Sequence, residues 1–124
     1  MTQFNLIDID NPYFTSAWKL YEEAFPVYER RTLKAQSHLL KNPVYKFDVF
    51  IEKNVFIGFI MWWDFKDFQY IDHFAVTKSK RNNGYGAKIL KEIDLLVMTY
   101  PRLIAKENLC EFVSNNHPVI FKSF

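Results

Sequence analysis

At 124 residues the chain is one domain with room for its own core, and 49% hydrophobic with 13 Phe and 7 Tyr excludes a disordered chain. A net charge of +2 gives no electrostatic case for nucleic acid, and a single cysteine, Cys110, excludes an internal disulfide and favours a reducing compartment. The amino end is polar and acidic, unlike a signal peptide, and the longest apolar run (55–63) is far too short to span a bilayer as a helix, so a single cytoplasmic domain over 1–124 without membrane association is expected.

Residues 4–9 read as a short strand ended by Asp10-Asn11-Pro12, where Asn11 caps a helix and Pro12 opens it. Phe14, Trp18, Tyr21 and Phe25 then recur on one helical face, a stripe taken as core, and Pro26 closes the helix. A charged link, 27–31, leads to a second helix over 32–41, capped by Thr32 and burying Leu33, Leu39 and Leu40, until Asn42-Pro43 stops it. Residues 44–52 and 55–64 form a hairpin about Lys53-Asn54, and the second strand, apolar on both faces, is expected at the centre of a covered sheet. Lys66-Asp67 turns the chain into a third strand ending at Val76.

Residues 69–93 organise the rest. Along the strand, alternation puts Asp72, Phe74 and Val76 on one face and Ile71, His73 and Ala75 on the other. A polar, basic loop follows over 77–83, and from Gly84 the residues Ile89, Ile93, Leu96, Val97 and Tyr100 recur at helical spacing. A glycine-bearing turn into a helix leaves backbone N–H groups unpaired at the positive end of the helix dipole, an arrangement that holds phosphate oxygens. Lys78, Lys80, Arg81 and Lys88 surround it. The spacing separates the families that use such a turn. A Walker A loop needs Lys-Ser/Thr after its last glycine, where Ala87-Lys88 stand, and a dinucleotide fingerprint needs a small residue where Ile89 stands.

Arg81-Asn82-Asn83-Gly84-Tyr85-Gly86, five residues after Val76, instead resembles the (Arg/Gln)-x-x-Gly-x-(Gly/Ala) pyrophosphate signature of the GNAT superfamily of N-acetyltransferases. The wider run of aromatic strand, FAV, loop and helix resembles that family's strand 4, acetyl-CoA loop and helix 3. The plainer alternative is a strand–turn–helix whose glycines serve only the turn.

The resemblance implies an α+β fold, a mixed and mostly antiparallel sheet flanked by helices in the order strand, two helices, three-strand meander, helix, strand. It covers residues 4–107, with 103–105 resembling strand 5. Beyond it the pattern departs: 108–124 offers a short helix or turn and one strand over 118–124, so the chain reads as shortened or divergent there. The implied activity is transfer of an acetyl group from acetyl-CoA, as co-substrate, to a primary amine of a small molecule or peptide. Residues Arg81, Asn82, Asn83, Gly84, Tyr85, Gly86 and Ala87 would cradle the diphosphate, with Lys78 and Lys80 adding charge. Phe74, Ala75 and Val76 would bind pantetheine through main chain, with the N–H of Ala75 or Val76 stabilising the oxyanion.

Asp72 is the first choice of base, His73 the second and Glu107 the third; the alternative for each is an ordinary satisfied polar group. No tyrosine follows Tyr100 to act as the family's acid; Cys110 lies in that region but reads as a lone buried thiol, so the thiolate takes its proton from water or turnover is impaired. Glu22, Glu23, Glu29, Arg30 and Arg31 lie where the family lines its acceptor cleft, or form a solvated face. A second reading is a catalytically impaired relative that binds CoA or serves as an interaction module. An RNA-binding sheet, suggested by Gly84-Tyr85-Gly86, would need a strand after Gly86, where helical spacing stands. An uncovered sheet edge together with Val119-Ile120-Phe121 leads us to expect a homodimer.

Overall fold

Among the described residues five strands form one sheet in chain order, β1 (Thr2–Asn5), β2 (Tyr45–Glu52), β3 (Val55–Asp64), β4 (Gln69–Val76) and β5 (Val119–Ile120), and every pairing among them is antiparallel. The coordinates are a computed structural model, which describes residues 1–65, 69–92 and 119–120. Among the described residues three helices accompany the sheet: α1 (Pro12–Ala24), α2 (Leu33–Leu39) and α3 (Tyr85–Glu92). The α+β architecture expected from the sequence is the one observed. The segments 103–105 and 121–124, the residues after Glu92 in the third helix, Glu107 and Cys110 lie outside the described residues.

Local chemistry explains the boundaries. The Asn11 side chain accepts the Tyr13 N–H at 2.9 Å with Pro12 behind it, and Thr32 Oγ1 accepts the Ala35 N–H at 3.1 Å. Lys53 and Asn54 both take positive φ, 51° and 63°, as the two central residues of a hairpin turn that suits strand twist. The first strand lies earlier than the apolar pattern suggested. Its position is set by Asp48 on β2, whose buried carboxylate accepts from Gln3 Nε2 (3.0 Å), Asn5 Nδ2 (2.9 Å) and Trp62 Nε1 (2.7 Å). Two polar donors of the edge strand thus fix it in register, while Trp62 of β3 holds the same carboxylate, a signal that an apolar count does not contain.

The sheet is covered on both sides, as the doubly apolar β3 implied. On one side α3 sets Ile89 and Leu90 against Phe50, Ile60, Phe74 and Val76. On the other, Phe14, Ala17, Leu20 and Tyr21 of α1, with Phe25 beyond it, pack on Phe47, Val49, Phe59, Met61 and Ala75. Leu33, expected inside, is exposed; α2 instead buries Gln36, which shares hydrogen bonds with the Tyr45 hydroxyl at 2.9 and 3.3 Å.

One departure from simple alternation matters for everything downstream. The register runs Met61↔His73 and then Trp62↔Ile71, passing over Asp72. This is a β-bulge, with two residues of β4 set against one step of β3. Its effect is to put Ile71 on the α3 side with Phe74 and Val76, and to turn Asp72 and His73 toward the same side, against α1 and the link after it. The opposite faces expected for that pair are therefore corrected.

Candidate functional site

The carboxyl end of β4 and the start of α3 build the first half of the site. Thr77 N–H donates to Ile57 C=O at 2.8 Å, so the residues whose main chain faces β3 alternate back along β4 as Thr77, Ala75 and His73. Val76 and Phe74 then turn their N–H and C=O to the outer edge. Val76 C=O is taken there by Arg81 Nε at 2.9 Å. Phe74 is paired with Val119 of β5, and the described residues of β5 do not extend alongside Ala75 or Val76. Of the two amides considered as oxyanion donors, the N–H of Val76 points outward and that of Ala75 points into the sheet.

The loop after Val76 is a 3₁₀ turn (Lys78–Lys80) followed by Arg81, then Asn82 at φ 65° and Gly84 at φ 78°. Asn83 Nδ2 closes the loop on the carbonyls of Arg81 (2.9 Å) and Lys80 (3.3 Å). Lys88 N–H reaches Gly84 C=O at 3.1 Å, which makes Gly84 the cap of α3. A Cβ at Gly84 would meet nothing within 4 Å, so glycine is required here by its backbone angle and not by crowding. The N–H groups of Tyr85, Gly86 and Ala87 are the first of the helix and have no acceptor in a preceding turn. The loop is thus shaped for an anion at a helix start, with Lys78 exposed and Lys80 partly so.

Lys88 is engaged elsewhere, lying 3.2 Å from Glu52 Oε1. The Tyr85 phenol, and after it Lys88, hold the Glu52 carboxyl below its usual range, and Glu52 in turn pushes the Tyr85 phenol up. This pair ties the first turn of α3 to the end of β2.

The second half of the site is the bulge. Asp72 forms an ion pair with Arg31, whose guanidinium also lies 5.3 Å from the centre of the Tyr45 ring and 3.5 Å (Nη1) from Met61 Sδ. The backbone N–H of Arg31 donates to the Tyr21 hydroxyl at 2.8 Å. His73 is buried, edge-on to Tyr21 and Phe25 with centroids 5.0 and 4.8 Å away. Its Nε2 lies 3.1 Å from Glu29 C=O, and because a carbonyl only accepts, the proton sits on Nε2. Nδ1 then carries a lone pair, 3.3 Å from Asp72 Oδ1. Burial, and then the Arg31 charge, push the His73 imidazole down to about 4, so it is neutral at neutral pH.

The structure thus brings Asp72 and His73 together at the bulge, and Val76, Arg81 and the α3 start together at the edge. Glu107 lies outside the described residues. Of the charged link residues, Arg30 pairs with Glu22 at 3.5 Å on the surface, whereas Arg31 reaches the strand. Sequence reasoning placed Arg31 in the lining of the acceptor cleft or on a solvated face, and not against β4. No sequence signal marks it, because the partner it meets depends on a bulge that alternation hides.

The GNAT acetyltransferase family model matches residues 5–94. Among solved structures, the chain is similar to a Bacteroides thetaiotaomicron protein assigned to the GNAT family of acetyltransferases, with a TM-score of 0.68 and 28% identity, over 75% of this chain and 53% of that one. The chain therefore spans about half the length of that relative. No curated protein matches it.

Proposed function

This chain belongs to the acetyltransferase (GNAT) family, and on that premise we propose that it is a cytoplasmic N-acetyltransferase, moving an acetyl group from acetyl-CoA to a primary amine of a small molecule or peptide. The observation that carries this reading is the outer edge at Val76. An outward N–H stands next to a helix start, and the neighbouring carbonyl is already tied off by Arg81.

The residues present fit the co-substrate. The N–H groups opening α3, with Lys78 and Lys80 nearby, suit a diphosphate. Arg81 braces the loop against β4 through Val76 C=O, so its guanidinium serves the anion site partly by holding shape. On the strand, Ala75 spends its main chain on Phe59 and Phe74 pairs with Val119, which leaves Val76 as the described residue able to meet a pantetheine amide or a developing oxyanion.

In the reaction the amine nitrogen attacks the thioester carbonyl carbon, the C–N bond forms, the C–S bond breaks, and the thiolate takes a proton from water. The nitrogen must lose a proton. Asp72, with its side chain 12% exposed and one oxygen beside the lone pair of His73 Nδ1, is the acceptor we assign first. His73 is the less fit base alone, since its Nε2 is committed to Glu29 and its proton affinity is low.

Calorimetric titration of acetyl-CoA into wild type and Arg81→Ala, with thiol release followed over an amine panel, tests the reading. We expect binding weakened by about 1–3 kcal/mol in the variant, as for loss of a charge-assisted contact. Failure of wild type to bind acetyl-CoA would sink the proposal. Binding without release on any amine would favour the second reading, a CoA-binding module.

A further inference from the structure

We infer that Arg31 is a positioning residue, clamping the bulge of β4 to the link between α1 and α2 and so fixing which amide of the strand faces outward at the transfer edge. The inference rests on the reading of that edge as the place where acetyl transfer occurs. Two contacts join β4 to the link and a third anchors the link to α1. Arg31 pairs with Asp72, the extra residue of the bulge; His73 Nε2 donates to Glu29 C=O at 3.1 Å; and Arg31 N–H ties the link to Tyr21 of α1 at 2.8 Å.

A bulge is a movable defect. If the extra residue passed from Asp72 to beyond Val76, each of residues 73–76 would turn over and the Val76 N–H would face β3. Apolar packing gives limited protection, because both faces of the sheet are covered by apolar layers. The contact that discriminates is His73 on Glu29. In the shifted register Asp72 would stand opposite Met61 and keep its side, whereas His73 would stand opposite Ile60 and turn to the α3 side, away from Glu29 C=O. The register is therefore held only while Arg31 keeps the link in place against β4. Buried pairs of this kind add little net stability over apolar isosteres, and register is a better attested use for them. The groups facing His73 are Asp72 on its own strand, Glu29 and Arg31 on the link, and Tyr21 and Phe25 from the α1 end.

The test uses the full chain with Arg31→Met, which keeps the stem without charge, Arg31→Lys, which keeps charge without the planar fork, and Tyr21→Phe, which removes the anchor of the link with little change in volume. His73 imidazole titration and the backbone amide shifts of residues 72–76, both by NMR, are read on each free protein. Turnover and acetyl-CoA affinity are read alongside. In Arg31→Met we expect His73 to titrate higher than in wild type, the 72–76 amides to shift, and kcat to fall about 100-fold, as for a misplaced reacting edge, with acetyl-CoA affinity held within about twofold. Arg31→Lys and Tyr21→Phe should fall in between. Wild-type amide shifts and titration in Arg31→Met would overturn the clamp, as would wild-type kcat in both Arg31→Met and Tyr21→Phe. If wild type binds no acetyl-CoA, the function fails while the NMR readings still decide the clamp. If Arg31→Met does not fold, Tyr21→Phe decides it on the same readings.

Discussion

His73 carries the clearest consequence at the scale of single residues. Its imidazole is buried, donates to Glu29, and is held neutral down to about 4 against an ordinary 6.5. The unfolded chain therefore binds a proton that the folded chain refuses as pH falls from 6.5 toward 4. Stability from this group is fully present above 6.5, is lost through that window, and changes no further below it. The loss amounts to at most about 3 kcal/mol. His73→Gln, which keeps a donor near the Nε2 position, is expected to flatten the fall in urea midpoint between about pH 7 and pH 4.5. A variant whose midpoint falls as steeply as wild type would show that other groups set the acid sensitivity. Asp72 yields a separate outcome: Asp72→Asn leaves the Arg31 charge unpaired in a mostly buried place, and a loss of about 3–5 kcal/mol in denaturant unfolding is expected.

At the scale of elements, β3 and β4 meet where the site is made. A Cβ at Gly58 would come within 2.5 Å of Ala75 O, so this glycine is what allows the strands to close beside Val76. Gly58→Ala should cost about 1–3 kcal/mol in urea unfolding, as overpacking does, and weaken acetyl-CoA binding by displacing the edge. Unchanged affinity would show that the edge tolerates the shift. The same pair of strands shows where sequence reasoning reaches and where it stops. Helix caps at Asn11 and Thr32, the Lys53-Asn54 turn and the anion-shaped loop at Gly84 are local chemistry, and each was legible because a few adjacent residues determine it. The bulge at Asp72 was not, since its residues are ordinary strand formers and the defect exists only relative to β3. The burial of Gln36 in place of Leu33 was hidden for a similar reason: its partner is a hydroxyl from another element.

Over the whole molecule, the glycine-capped loop belongs to the α3 side and the Asp72–Arg31 pair to the α1 side, and β4 is the element common to both. Val119 and Ile120, expected to offer an edge to another chain, pair within this one on β4, so a dimer through the outer edge of β5 would extend the sheet further. Light scattering that returned a monomer at micromolar concentration would count against that expectation. The shared strand also makes acetyl-CoA a probe of the entire fold. A ligand bound only by the folded chain stabilises it by about 2.7 kcal/mol at a hundredfold excess over Kd. The stabilisation should appear as a rise in unfolding temperature for wild type and fall away in Arg81→Ala at the same concentration, because that substitution loosens both the loop and its hold on Val76. Lys88→Ala separates shape from charge: its ammonium is already drawn to Glu52, so the temperature rise should persist nearly in full. An equal loss in both variants would mean that net positive charge around α3, and not the braced geometry of the loop, governs binding.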